Sequence, residues 1–313
     1  MNQEAPQTPS APATAAGAVQ QSSPQEFTEL GPLPRGVLLA ATPLGNLGDA
    51  SPRLRQALAE ADLIAAEDTR RTRALAAALG VEIRGKVVSN FDHNEVSRAE
   101  QFVEQAKTGT VLVVTDAGMP IISDPGFPIV DAVHRAGVPL TCLPGPSAVT
   151  TALALSGLHT GRFCFDGFAP RKAGARREWL EAVSVEKRAV CFFESPHRLA
   201  ETLATAVEIC GTERRAAVAR ELTKTFEEVR RGTLGELAEW AEAGVKGEIT
   251  VVIEGARDVA VSVSTLVPAA VERVAGGERL KAVCADLSAR HKVSKKELYD
   301  AVIAARRDAA PGQ

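Results

Sequence analysis

The sequence predicts an α/β protein with two α/β domains, followed by a small C-terminal helical bundle. Between residues 36 and 157, apolar strand patterns alternate with helical patterns, and the connections are short. This alternation is typical of a mostly parallel sheet covered by helices on both faces. Strands and helices continue from 158 to 258, and only helical patterns follow residue 265. The predicted boundaries are therefore 35–157 and 158–258 for the domains and 265–308 for the bundle.

The first domain is predicted to contain four strands, at 36–42, 63–67, 110–115 and 140–143. Helices are predicted at 72–79, 96–107, 128–136 and 147–155, and a further helix begins at Ser51 and Pro52. Serine is a favoured N-cap, and proline is favoured in the first helical turn. Gly80 and Gly137 follow two of these helices and indicate where they end.

The second domain is predicted to contain five strands, at 163–168, 189–194, 216–221, 228–232 and 248–254. The short spacing of the third and fourth predicts antiparallel pairing. Helices are predicted around Trp179 and at 199–209. The bundle is predicted from helices at 266–275, 280–290 and 295–307, of which the last two resemble a helix-turn-helix with basic residues near the second. The sequence leaves open whether this bundle caps the core or contacts RNA.

Composition limits the classes of protein to consider. The 313 residues are 45% hydrophobic, which allows two buried cores, and the net charge of −3 argues against indiscriminate nucleic-acid binding. The five cysteines form no C-x-x-C pair, so neither a disulfide framework nor a zinc site is predicted, and a reducing cytoplasm fits best. Residues 1–34 carry no lysine, arginine or long apolar run, so we expect a disordered extension rather than a signal peptide. No segment reaches membrane-spanning length.

The run from 113 to 126, VVTDAGMPIISDPG, joins a β-branched strand to a loop dense in glycine, proline and aspartate. Glycine has no Cβ, proline fixes φ, and aspartate tolerates turn geometry. Ligands of open α/β sheets bind at the carboxyl ends of the strands. The run therefore predicts a ligand-binding loop; the alternative is an ordinary strand-to-helix turn.

Six further motifs share the chain with this loop. They are ATPLGNL at 41–47, AEDTR at 66–70, PGPSA at 144–148, GFAPRK at 167–172, ESPHR at 194–198 and RELTK at 220–224. The first lacks the glycine spacing of a dinucleotide loop and the lysine of a P-loop, so neither NAD nor ATP is predicted. Together, in this order, the seven motifs resemble the ribosomal RNA small subunit methyltransferase I family, a branch of the tetrapyrrole methylase superfamily.

The resemblance implies a class III methyltransferase fold of the tetrapyrrole methylase type, with the cofactor cleft between two α/β domains. It implies S-adenosylmethionine as methyl donor, no metal, and 2′-O-methylation of a decoding-centre (P-site) cytidine in 16S ribosomal RNA. The expected substrate is the assembled small ribosomal subunit, and the expected enzyme is a cytoplasmic homodimer without membrane contact. By motif, the implied cofactor-binding residues are Pro43, Gly45, Thr115, Asp116, Gly118, Ser147, Ala148, Phe193 and Leu222. For Asp116 the alternative is a turn residue.

A ribose hydroxyl is a poor nucleophile until its proton leaves, so a nearby base would help. The candidates are Glu67, Asp68, His93 and Glu194, and the sequence does not choose between them. Glu67 and Asp68 have the alternative role of capping the helix that follows.

RNA binding requires cations that contact phosphates. The predicted contacts are Arg70, Arg171, Lys172, Arg198 and Lys224; the neighbouring Arg71, Arg73, Arg176 and Arg177 extend two of these basic clusters. The alternative for each cluster is a solvated surface. Two rival functions also remain: a tetrapyrrole-type small-molecule methyltransferase, and a scaffold that binds S-adenosylmethionine and RNA without turnover.

Overall fold

The computed structural model describes residues 30–90, 95–257, 262–291 and 293–308. The predicted extension at 1–34 and the base candidate His93 therefore lie largely or wholly outside the described residues.

A five-stranded parallel sheet forms the first half of the chain. Its strands are β1 (Gly36–Ala40), β2 (Leu63–Ala66), β3 (Lys86–Ser89), β4 (Thr110–Val114) and β5 (Leu140–Leu143), in the order β3-β2-β4-β1-β5. Its helices are α1 (Pro52–Glu60), α2 (Thr69–Ala78), α3 (Glu95–Thr108), α4 (Phe127–Ala136) and α5 (Ala148–Leu155). Alternate residues of β1 enter different cores: Leu38 packs with α1, whereas Val37 packs with α3 and α4. The sheet is therefore covered on both faces, as predicted.

Local signals begin and end these helices as expected. The Ser51 hydroxyl accepts the Leu54 amide at 3.0 Å ahead of Pro52, and Gly137 ends α4 with a φ of 64°. Strand β3 was not predicted, because it is a short edge strand with only two central apolar residues.

A mixed five-stranded sheet follows. Its strands are β6 (Phe163–Phe168), β7 (Ala189–Glu194), β8 (Arg215–Arg220), β9 (Glu228–Thr233) and β10 (Ile249–Ile253), in the order β6-β7-β10-β8-β9. Its helices are α6 (Ala173–Val185), α7 (Leu199–Cys210) and α8 (Leu234–Glu242). Strands β6 and β7 run parallel and the other pairs antiparallel, which confirms the predicted pairing of β8 with β9.

Helix α5 joins the two sheets. Val149 and Leu153 of α5 pack against Cys191 of β7 and Leu222 after β8, while α6, α7 and α8 cover the opposite face of the second sheet. The last three helices, α9 (Val263–Ala275), α10 (Leu280–His291) and α11 (Lys295–Asp308), pack around their own small core, as predicted. Within the described ranges, no helix is long and apolar enough to cross a membrane.

Candidate active site

The sequence motifs of the first half meet at the carboxyl edge of the parallel sheet. The loops that follow β1 and β4 are joined by two backbone hydrogen bonds between Thr42 and Gly118, at 2.9 and 3.0 Å. The Thr42 hydroxyl also donates to the Thr115 carbonyl at 3.2 Å. Gly118 has a φ of 86°, and a Cβ there would lie 3.2 Å from the Leu44 side chain, so glycine suits both the backbone and the space. The two loops therefore form one unit, in which Pro43 is buried and Gly45 exposed.

Two carboxyl groups lie within hydrogen-bonding distance of the buried hydroxyl of Thr115. It lies 2.6 Å from Glu67 and 2.7 Å from Asp124, and the Asp116 amide donates to Glu67 at 3.1 Å. A threonine hydroxyl carries one proton, so it donates to one carboxylate only; the other contact needs a proton on the carboxyl. Burial, with Glu67 and Asp116 nearby, raises the pKa of Asp124 to about 6 despite the Thr115 hydrogen bond. The raised pKa makes Asp124, which sequence reasoning missed, the carboxyl that holds this proton below about pH 6.

Asp116 organises the adjoining loop. Its Oδ1 accepts the Asp68 amide at 3.2 Å, and its Oδ2 lies 3.1 Å from an Arg71 nitrogen. Burial and the charge of Glu67 raise the pKa of Asp116, and Arg71 opposes that rise. These contacts are those of a turn residue that organises the loop. Asp116 also lies at the edge of the sheet where the cofactor is predicted to bind.

Asp68 caps helix α2. Its carboxylate accepts the Arg70 backbone amide at 2.7 Å and pairs with the Arg70 guanidinium at 3.0 Å. The Arg70 side-chain and backbone hydrogen bonds lower the pKa of Asp68 to about 2. Arg70 itself remains largely exposed. The capping alternative is confirmed for Asp68.

The second sheet contributes an apolar wall to the same edge. Leu222 lies between Glu221 and Thr223, whose φ angles are 50° and 66°, and it packs in one cluster with Leu44, Ala148 and Phe193. Ser147 begins α5 beside Ala148, with its hydroxyl not used as a helix cap. The loops of both sheets therefore meet here.

Polar contacts also cross between the sheets. The Asn46 amide donates to the Thr223 hydroxyl at 3.2 Å. The Lys224 stem lies over Gly45, where a side chain would collide with it. The Lys224 ammonium pairs with Glu221 at 2.9 Å and Glu248 at 3.1 Å, and these carboxylates raise its pKa against the opposing effect of burial. Lys224, predicted to contact RNA, is thus placed in protein ion pairs.

Glu194 is buried beneath the site rather than on its surface. Its carboxylate accepts the Ser195 amide and the Thr202 hydroxyl, both at 2.6 Å, and pairs with Arg198 at 2.5 Å. Arg198 in turn donates to the Ala169 carbonyl at 3.2 Å. The ESPHR motif therefore anchors the GFAPRK motif.

The basic residues of the GFAPRK motif and those of helix α6, which follows it, differ in exposure. Arg171 and Lys172 are exposed, and no ion pair with another described residue involves either. Arg176 is instead buried and paired with Glu201, because its helix turns it inward. The prediction that Arg176 lies in a phosphate-gripping cluster is therefore wrong. Arg177 pairs with Glu208 at 2.9 Å. Among the described side chains, no cluster of three His, Cys, Asp or Glu residues could hold a metal.

Comparison with known proteins gives the class. Residues 36–238 match the family model of tetrapyrrole (corrin/porphyrin) methylases. A crystal structure of uroporphyrin-III C-methyl transferase from Thermus thermophilus, complexed with S-adenyl homocysteine, has the same fold. It aligns with a TM-score of 0.51 at 16% identity, covering 71% of this chain and 97% of the other.

Two curated relatives narrow the class. Ribosomal RNA small subunit methyltransferase I of Mycobacterium bovis is 56% identical over 274 residues, which are 87% of this chain and 96% of that protein. The Haemophilus influenzae protein of the same name is 39% identical over 84% of this chain and 95% of its own length. The chain therefore belongs to the tetrapyrrole methylase family and, within it, to the ribosomal RNA small subunit methyltransferase I branch.

Proposed function

We propose that the chain transfers a methyl group from S-adenosylmethionine to the ribose 2′-oxygen of a decoding-centre cytidine in 16S ribosomal RNA. One arrangement carries this proposal. A carboxylate-rich loop, suited to a cationic methyl donor, lies against the segment that bears Arg171 and Lys172, suited to RNA phosphates. The names of the relatives point to the same RNA.

The residues at the edge fit S-adenosylmethionine, which carries positive charge on its sulfonium and ammonium groups. Asp116 and its neighbours supply negative charge, and Leu44, Phe193 and Leu222 supply an apolar surface. Gly118, where a Cβ would crowd Leu44, leaves backbone open to close approach. When bound, the donor supplies an electrophilic methyl group. The loops hold the acceptor in line with that group and exclude water from the cleft.

For the proton of the acceptor hydroxyl, we propose Glu67. One of its oxygens accepts hydrogen bonds from the Thr115 hydroxyl and the Asp116 amide, and none of the described residues hydrogen-bonds to or pairs with the other oxygen. Asp68 is committed to Arg70, and Glu194 is buried against Arg198 and Thr202. Glu194 thus has a positioning role in this proposal.

The remaining parts of the proposal concern assembly. We place the division into domains at 35–157 and 158–258, with the cofactor cleft between them. The proposed enzyme is a cytoplasmic homodimer that acts on the assembled small subunit, and the bundle at 265–308 is available for a further contact with it.

The proposal is tested with labelled S-adenosylmethionine and small ribosomal subunits from a strain that lacks this protein. We expect label on the ribose of one decoding-centre cytidine, found by mapping the methylated nucleotide. Purified 16S RNA without proteins serves as the matched acceptor and separates free RNA from the assembled particle. Unlabelled subunits together with a methylated tetrapyrrole would overturn the RNA assignment. Donor binding without transfer to either acceptor would favour a scaffold.

A further inference from the structure

Phe168 exposes most of its ring at the end of β6. Phe168 is 60% exposed. The ring meets Phe193 edge-on, with centroids 5.4 Å apart and an angle of 62° between the planes. Phe193 meets Phe165 in the same manner at 5.0 Å. The Phe168 ring is therefore supported along one side while most of its surface faces solvent.

The backbone fixes this placement. Phe165 pairs with Cys191 and Phe168 with Phe193, so β6 carries one more residue than β7 over this stretch, which is a β-bulge. Gly167, inside the bulge, has a φ of 69°. Bulges redirect side chains and recur beside functional sites. The exposure of Phe168 is thus set by the strand itself.

Hydrogen bonds anchor Ala169, the residue that follows Phe168. The Ala169 amide donates to the Phe193 carbonyl at 3.0 Å, and its carbonyl accepts from Arg198 at 3.2 Å. Arg198 is oriented by the buried Glu194. The backbone directly after the exposed ring is therefore anchored by hydrogen bonds on both its amide and its carbonyl.

The ring also stands at the meeting of the two sheets. A Cβ on Gly167 would lie 3.4 Å from the Ser123 hydroxyl, so the bulge borders the loop that follows β4. Arg171 and Lys172, which are exposed, follow Phe168 by three and four residues along the chain. A flat apolar face and two positive charges therefore occur together at the rim of the candidate active site.

We propose that Phe168 is the surface on which one unpaired base of the RNA substrate stacks, while Arg171 and Lys172 contact the adjoining phosphates. Proteins recognise single-stranded RNA by stacking splayed bases on aromatic rings beside cationic groups. The inference rests on the proposed function, and it names the residue that selects an unstacked nucleotide over a paired one. Stacking requires only an aromatic face, so tyrosine or tryptophan would replace phenylalanine, whereas leucine would not.

Steady-state kinetics with small ribosomal subunits test the inference. Phe168→Leu is expected to raise KM for subunits about ten-fold, within the range for loss of one stacked base, with kcat and donor affinity nearly unchanged. Phe168→Tyr is expected to restore KM. Phe163→Leu, at the opposite end of the same strand, is the matched control and should behave as wild type. For each variant, calorimetry measures the affinity for S-adenosylmethionine and analytical ultracentrifugation measures the oligomeric state.

A direct binding measurement separates this inference from the proposed function. Phe168→Trp adds a third tryptophan to the two in the chain, and stacking of an oligocytidine probe should quench its fluorescence beyond the wild-type response. If the wild-type protein transfers no methyl group to subunits, the proposed function fails. The stacking role is then judged from the fluorescence alone: quenching of Phe168→Trp by oligocytidine supports it. An unchanged KM in Phe168→Leu, or no quenching, overturns the inference. A matching loss of donor affinity assigns the ring to the cofactor, and a changed oligomeric state assigns it to contact between copies; either result also overturns it.

Discussion

Replacement of Asp124 by asparagine should stabilise the protein above neutral pH. The pKa of Asp124 rises from an ordinary value of 3.8 to about 6, mainly because the carboxyl is removed from water. About two pKa units correspond to about 3 kcal/mol, and solvent screening of this partly buried group reduces the effect to about 1–2 kcal/mol. The amide of Asp124→Asn can donate to Thr115, which leaves the threonine proton for Glu67.

The sign follows from proton binding. The folded protein keeps the Asp124 proton to a higher pH than the unfolded chain, so this contribution to stability is complete below about pH 4 and lost as the pH rises through about 6. Asp124→Asn has no such loss. We expect its free energy of unfolding to exceed that of wild type by about 1–2 kcal/mol at pH 8, with the difference shrinking towards pH 4.

Urea unfolding of both proteins at pH 4.5, 6 and 8 measures this difference, and thermal melting should show a matching rise of about 2–6 °C at pH 8. Asp131→Asn is the control, because Asp131 is an exposed partner of Arg135 on α4 and its loss should change stability little at any of these values. A stability difference for Asp124→Asn that does not vary with pH would refute the assigned titration. A variant less stable than wild type at pH 8 would refute the conclusion that burial of the ionised Asp124 carboxyl lowers stability there.

Three further substitutions test other parts of the site. Gly118 has a φ of 86°, and an added Cβ would lie 3.2 Å from Leu44, so Gly118→Ala should lower the free energy of unfolding by about 1–2 kcal/mol. Calorimetry should also show weaker binding of S-adenosylmethionine to this variant. Gly80→Ala is the control: Gly80 has a similar φ but open space around it, so only stability should fall. Glu194→Gln should lower the free energy of unfolding by about 2–4 kcal/mol in urea, because Arg198 loses its buried charge partner; a neutral effect would contradict the anchoring role. Arg171→Ala should raise KM for subunits and reduce the salt dependence of binding by about one unit of slope, while an unchanged slope would remove Arg171 from the phosphate contacts.

Much of the fold was predictable because the signals were local. The serine-proline start of α1 and the glycine end of α4 are properties of adjacent residues, and both appear as predicted. Strand β3 escaped prediction because Val87 and Val88 alone carry its apolar pattern, and its place is fixed by pairing with β2. The position of β3 thus depends on its pairing with β2, which the periodicity of its own residues does not reveal.

The site was predictable only to the level of its loops. The sequence indicated that the segments after β1 and β4 form a binding edge, but Glu67 and Thr115 are 48 residues apart and nothing local announces their hydrogen bond. The predicted role of Arg176 failed for the same reason, since its charge suggested a surface, whereas packing turned it towards Glu201. Side-chain partners across a fold depend on geometry that a single sequence does not display.

Four residues at this edge carry a wider consequence. The non-glycine residues with positive φ in the described ranges are Ile121, Ser123, Glu221 and Thr223, and all four border the candidate active site. Such backbone conformations cost about 1 kcal/mol or more each for residues with a Cβ. Laboratory selection for heat resistance alone should therefore accumulate glycine at these positions. The loops of the selected proteins would be less fixed in shape, so their affinity for S-adenosylmethionine should be lower. The positive φ angles of these four residues lower the stability of the folded chain, and they fix the shape of the loops where its two sheets meet.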